Sequence, residues 1–159
     1  MTQQQALTTF SLDGDRAVVL SRLFDAPREL VFEAFTDCKH LRNWWGPRNL
    51  ELVSCEMDFR VGGTWRFVQR DAQGNEFAFR GEYREIVRPE RIVQTNVFEL
   101  VPDHMSIETV VLEDRDGKTL LTMRSEFDTP EARDMAVQAN MEAGATETYE
   151  RLAEYLRTL

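Results

Sequence analysis

The chain has few cysteines and histidines, and this scarcity limits the chemistry open to it. It contains two cysteines and two histidines among 159 residues. Cys38 and Cys55 belong neither to a C-x-x-C motif nor to a Cys/His zinc pattern, so we expect no metal site. Two isolated cysteines are typical of buried, unreactive thiols in a reducing compartment.

Long apolar runs and excess positive charge are also missing. No run approaches the roughly 20 residues of a membrane-spanning helix. The opening MTQQQALTTF lacks the basic and apolar regions of a signal peptide, so we expect a cytoplasmic protein. The formal net charge is -9, and an acidic surface repels phosphate backbones and anionic lipids. We therefore expect no nucleic-acid partner and no membrane insertion.

The hydrophobic pattern predicts a single domain over residues 1–159, with a core from about residue 15 to 157. RAVVLSRLF (16–24) predicts a first strand. Two short helices are predicted in DAPRELVFEAFTD and CKHLRNWW, the second stopped by Gly46 and Pro47. Adjacent helical residues point about 100° apart, so Trp45 is placed at a pocket and Trp44 against the helix-sheet junction.

From residue 50 the hydrophobic period changes to two, which predicts a meander of antiparallel strands. TWRFVQR and EFAFRGEY place aromatic side chains on one face. Alternation puts three arginines on the other face, where we expect ion pairs with glutamates such as Glu82; they are Arg66, Arg80 and Arg84.

The C-terminal segment from Thr129 onward predicts one long helix that covers the apolar face of the sheet. Thr129 is expected to cap it. Gly144 interrupts the pattern and predicts a kink or a close approach to the sheet.

Three stretches carry a family resemblance: FDAPRELVFEAFTDCKHLRNWWGP, DFRVGGTWRFVQRDAQGNEFAFRGEYREIVRPERIVQT and MEAGATETYERLAEYL. From Ala17 to Leu156 the chain resembles the family homologous to the C-terminal domain of the heat-shock-protein-90 ATPase activator. That family lies in the START-like superfamily, which includes polyketide cyclases and lipid-transfer proteins.

The resemblance implies an α+β helix-grip fold. Its curved antiparallel sheet of about six or seven strands wraps around a long C-terminal helix, and two short helices follow the first strand. It also implies a deep, mostly apolar cavity between sheet and helix. Many members carry an aromatic residue directly after the helix glycine. Ala145 stands there in this chain, which predicts a larger or reshaped cavity.

The predicted cavity-lining residues are inward-facing aromatic, methionine and polar side chains: Trp45, Met57, Trp65, Phe67, Gln69, Phe77, Phe79, Tyr83, Met123, Phe127, Met141 and Tyr149. Large aromatics and flexible methionines line adaptable pockets. Gln69 and Tyr83 could anchor the polar part of a ligand. For each residue taken alone, a packed core is the competing interpretation.

No catalytic set is recognisable in the sequence. His40 and His104 are expected at the surface, without a motif that would make either a base. We assign no catalytic residue, metal or cofactor.

The first functional hypothesis is non-enzymatic binding of a small apolar or amphipathic molecule, in a carrier, sensor or stress-related role. A cyclase- or hydrolase-like enzyme, using a residue such as Tyr83, Gln69 or a buried carboxylate, is the second. A co-chaperone-like regulator of a heat-shock ATPase is the third. A homodimer is left open.

Overall fold

Eight antiparallel strands form one sheet in residues 8–159, which are the residues described by this computed structural model. The leader analysis and the predicted domain start involve residues 1–7, which lie outside the described part. The strands are β1 (Thr9–Asp13), β2 (Ala17–Phe24), β3 (Glu51–Met57), β4 (Thr64–Arg70), β5 (Glu76–Val87), β6 (Arg91–Phe98), β7 (Ser106–Arg115) and β8 (Lys118–Phe127). The helices are α1 (Arg28–Glu33), α2 (Cys38–Leu41), α3 (Pro130–Gln138) and α4 (Met141–Leu156).

The sheet order is β1-β2-β8-β7-β6-β5-β4-β3. Strands β3 to β8 form the predicted meander, and β8 then pairs with β2. The two short helices carry the chain from β2 to β3 at the far edge. The α+β helix-grip architecture predicted from the sequence is therefore confirmed.

One strand was not predicted. β1 pairs with β2 from Thr9 opposite Ser21 to Asp13 opposite Ala17, which brings the sheet to eight strands. Its residues are exposed except for the half-buried Phe10. A solvated edge strand leaves little hydrophobic pattern for a sequence analysis to detect.

The C-terminal segment forms two helices, so the prediction of one long helix interrupted at Gly144 is wrong. Gly144 makes no close approach to the sheet either, since no heavy atom lies within 4 Å of where its Cβ would be. The break lies at Asn140, which has a left-handed backbone with φ of 66°, and asparagine adopts this conformation more readily than most residues. Gly144 lies inside α4, where its carbonyl accepts a hydrogen bond from the Thr148 hydroxyl. The predicted cap is confirmed, since the Thr129 hydroxyl accepts from the Ala132 amide at 3.0 Å.

The expectation of two free thiols is also wrong. Cys38 and Cys55 form a disulfide with a Cα–Cα distance of 5.8 Å. It ties the start of α2 to β3, which otherwise meet through few contacts. Because the bond uses both cysteines, the thiol-based argument for a reducing compartment no longer applies.

The three arginines on the outer face make the expected ion pairs with glutamates. Arg66 pairs with Glu99 at 2.8 Å and Arg80 with the same carboxylate at 3.5 Å. Arg84 pairs with Glu82 at 3.9 Å. These exposed pairs contribute little stability. Within residues 8–159, none of the helices is long and apolar enough to cross a membrane.

Candidate functional site

A cavity of about 320 Å³ lies between the inner face of the sheet and α4. Strands β4 to β8 form its floor, and the turn after α2 closes one side. Eight of the twelve predicted lining residues surround it: Trp45, Phe67, Gln69, Phe79, Tyr83, Met123, Met141 and Tyr149.

The other four predicted residues lie elsewhere. Trp65 is buried against Phe67, with ring centroids 4.7 Å apart, and fills the core. Met57 packs at the edge of that core. Phe127 lies at the far end of β8 and lines a second apolar pocket of about 300 Å³. Phe77 is half-buried near the start of β5 and lines neither of these pockets. Each residue advances a strand by about 3.3 Å, and only alternate residues face inward. A cavity of limited length is therefore lined by only a few inward residues of each strand.

The two adjacent tryptophans have different environments. Trp44 is 2% exposed, and its indole N–H donates to the Ala34 carbonyl at 3.0 Å. Trp45 is half-buried, with its ring 4.9 Å from Phe67 and 5.6 Å from Phe79. The structure thus places Trp44 at the helix-sheet junction, where it also reaches the cavity lining, and Trp45 in the cavity wall.

A row of polar side chains crosses the sheet, and two of its members, Gln94 and Glu108, lie in the cavity lining. Gln94, Glu108 and Ser125 are direct cross-strand neighbours on β6, β7 and β8. The Glu108 carboxyl accepts hydrogen bonds from Gln94 Nε2 at 3.2 Å and Asn96 Nδ2 at 3.0 Å. The Ser125 hydroxyl donates to it at 3.4 Å. Glu108 is half-buried, and it faces the cavity from inside the sheet.

The sequence analysis did not single out Glu108, although a signal was present. In the SIETVVLE segment, alternation puts Glu108 on the same face as Ser106, Val110 and Leu112, all of which are buried. A carboxylate at an inward position of a strand is unusual. The alternation of inward and outward residues along this strand could therefore have identified Glu108.

The environment of this row shifts its ionisable groups. Burial raises the pKa of Glu108 above its ordinary value, and the hydrogen bonds from Asn96, Gln94 and Ser125 oppose that shift. Burial, and then the nearby Glu108 carboxyl, raise the pKa of Tyr149. The cavity therefore contains a carboxyl group that is easier to protonate than one in water.

The turn after α2 is fitted closely to the floor of the cavity. Gly46 has a positive φ of 93°, and any Cβ at this position would collide with the Gln69 side-chain amide. Gln69 Nε2 is buried and makes no hydrogen bond within the described residues. On the other side, Arg151 of α4 donates to the Gly46 carbonyl at 2.7 Å. This bond holds α4 against the turn.

Two of the α4 residues that line the cavity, Gly144 and Ala145, are small. Gly144 has no heavy atom within 4 Å of where a Cβ would lie. Ala145, the residue that departs from the family pattern, is also in the lining. A large side chain there would enter the same space.

Neither histidine lies in the cavity lining. His40 Nδ1 is 2.6 Å from the Tyr155 hydroxyl, and His104 Nδ1 is 3.0 Å from Asp128. His40 is thus more buried and better partnered than expected. Among residues 8–159, no three His, Cys, Asp or Glu side chains are grouped so that they could hold a metal ion.

Several solved structures share this fold over nearly the whole chain. A protein from Rhodobacter sphaeroides is 24% identical with a TM-score of 0.89, over 96% of this chain and 99% of its own. One from Chromobacterium violaceum is 30% identical with a TM-score of 0.73, over 87% of this chain and 95% of its own. A Silicibacter pomeroyi protein described as AHSA1 is 23% identical with a TM-score of 0.75, over 89% and 98%.

No match was found among curated proteins. The model of one protein family matches residues 25–157, a span that includes the cavity lining, the polar row and the disulfide. The chain belongs to the family of activator of Hsp90 ATPase homolog 1-like proteins.

Proposed function

We propose that this protein binds a small hydrophobic or amphipathic molecule in the cavity between sheet and α4, as its carrier or sensor. The observation that carries this proposal is the combination of aromatic side chains with the polar Gln69, Gln94 and Glu108 around about 320 Å³ of space. Ligand sites are typically concave and mostly apolar, with a few polar groups that orient the ligand.

The size of the cavity supports a small ligand. A dry cavity of about 150 Å³ is enough to hold benzene. The space here is about twice as large, which suits one ring with a short side chain. Met123 and Met141 lie on opposite sides of the space, and flexible methionines let a wall adapt to ligand shape.

A matched pair of variants on α4 tests this proposal. Ala145→Phe puts a ring into the cavity, whereas Ala143→Phe puts the same ring on the exposed side of the helix. Binding of a panel of neutral aromatic and aliphatic alcohols, 2-phenylethanol included, would be followed by NMR chemical-shift changes. We expect wild type and Ala143→Phe to bind alike and Ala145→Phe to lose about tenfold or more in affinity. Equal binding by all three, or no binding by wild type, would contradict the proposal.

One observation favours an enzyme as the second candidate function. Glu108 faces the cavity with a raised pKa, and such a carboxyl can act as a general acid or base. The test is to incubate the protein with each compound that binds, at a tenfold molar excess of the compound, and to follow the compound by NMR. Turnover beyond one equivalent that Glu108→Gln abolishes would favour the enzyme. An unchanged compound would favour the carrier.

A further inference from the structure

Within the described part of the chain, the cavity lining contains one carboxyl group and no positively charged side chain. Among residues 8–159, Glu108 is the sole Asp, Glu, Lys, Arg or His side chain in the lining. Its hydrogen-bond donors are two neutral amides and a hydroxyl. The carboxyl therefore lacks the counter-ion that buried charges normally have.

Three aromatic side chains in the cavity lining are suited to binding a cation. The rings of Trp45, Phe67 and Phe79 cluster within 5.6 Å of Trp45 and line the same space as Glu108. Aromatic rings attract ammonium groups through their negative faces, and tryptophan does so most strongly. Tyr83 and Tyr149 add two further rings to the lining.

The negative charge of Glu108 also disfavours the binding of anionic ligands. A carboxylate or phosphate ligand would meet Glu108 with no lysine or arginine in the described lining to neutralise it. Like charges at short range cost several kcal/mol in a poorly hydrated site, on the order of the values measured across interfaces. An anion such as a fatty acid therefore fits this cavity poorly.

We infer that the cavity selects a small amphipathic amine, with its ammonium group against Glu108 and its apolar body against Trp45, Phe67 and Phe79. The inference rests on the proposed function and adds the chemical class of the ligand. A phenylalkylamine matches both the available volume and the arrangement of a carboxyl beside aromatic rings. The ammonium would supply the missing counter-ion and complete the hydrogen bonding of the carboxylate.

Three probes of nearly equal size separate charge from shape. 2-Phenylethylamine is a cation at pH 7.5, 2-phenylethanol is neutral and phenylacetate is an anion. Isothermal titration of the wild-type chain is expected to show the amine binding about tenfold or more tighter than the alcohol, because hydrogen bonds to charged groups are the stronger kind. Phenylacetate should bind weakest.

The matched variants are Glu108→Gln and Glu113→Gln. Both remove one negative charge from β7, but Glu113 is exposed and lies outside the cavity lining. Glu108→Gln should lower the amine-to-alcohol affinity ratio to about one and leave alcohol affinity within about twofold, since glutamine keeps the shape of the side chain. Glu113→Gln should retain the wild-type ratio.

The outcomes distinguish the inference from the proposed function. Equal affinity of wild type for amine and alcohol, or an amine preference that survives Glu108→Gln, would overturn the inference and leave the proposed function standing. Failure of all three probes would overturn both. If Glu108→Gln does not fold, the ranking of the three probes on wild type still decides the question.

Discussion

Asn96 Nδ2 donates a hydrogen bond to Glu108 Oε2 at 3.0 Å, and Glu108 lies in the lining of an otherwise largely apolar cavity. This bond and those from Gln94 and Ser125 favour the ionised carboxylate, while burial disfavours it more strongly. Neutral donors thus reduce the cost of a buried charge without removing it. Glu108 should therefore contribute to the pH dependence of the protein's stability.

Glu108→Gln is expected to stabilise the protein relative to wild type at pH 8, and to do so less at pH 5.5. Because the pKa of Glu108 is raised on folding, its contribution to stability is complete below the unfolded pKa and is lost as the pH rises through the folded value. Each unit of pKa difference corresponds to about 1.4 kcal/mol of unfolding free energy. Urea unfolding at both pH values measures this difference.

The control for this experiment is Glu113→Gln, since Glu113 is exposed on the same strand. Its difference from wild type should change little with pH. A Glu108→Gln difference that stays constant between pH 5.5 and 8 would show that the carboxyl is not energetically buried.

The sequence predicted the sheet, its inward aromatic face and the covering helix because these follow from hydrophobic period. It also predicted the different roles of Trp44 and Trp45. It did not predict the break at Asn140, because a single left-handed residue leaves no periodic signal. The Cys38–Cys55 bond was missed for a related reason: the two residues are 17 apart, and only the tertiary fold brings α2 beside β3. Glu108 was missed although alternation along β7 puts it on the buried face of the strand.

Gly144→Ala is expected to raise the free energy of unfolding by about 0.5–1 kcal/mol. Gly144 lies inside α4 with ordinary helical geometry, and a methyl group there would meet no atom within 4 Å. Alanine lowers the entropy of the unfolded chain and improves helix propensity. Urea unfolding measures the change, with Ala143→Gly on the same helix as the reverse control. A lower free energy of unfolding for Gly144→Ala than for wild type would mean that a methyl group is not tolerated beside this part of α4.

Replacing both Cys38 and Cys55 by alanine is expected to cost about 2–4 kcal/mol of unfolding free energy. The disulfide closes a loop with a sequence separation of 17, and the cross-link restricts the unfolded chain. Alkylation and mass spectrometry of the denatured wild type, without reductant, should find neither cysteine labelled. If the wild type is labelled at both positions, the bond is absent in solution. In that case reductant should also leave its stability unchanged.

The last prediction separates the two adjacent tryptophans by stability. Trp44→Phe removes the indole N–H that reaches the Ala34 carbonyl at 3.0 Å. It leaves a buried acceptor without its partner and should cost about 2 kcal/mol or more. Trp45→Phe breaks no hydrogen bond among the described residues and should cost about 1 kcal/mol or less. Urea unfolding of the two variants measures both values.

Ligand binding should rank the same two variants in the opposite order. Trp45 packs on Phe67 and Phe79 in the cavity wall, so its fluorescence should report a bound molecule directly. Trp45→Phe should lose most of the ligand-induced fluorescence change, whereas Trp44→Phe should retain it at temperatures where it is folded. An equal loss of the fluorescence change in both variants would mean that the ligand does not distinguish Trp45 in the wall from Trp44 in the core. A retained signal in Trp45→Phe would place the ligand away from this wall.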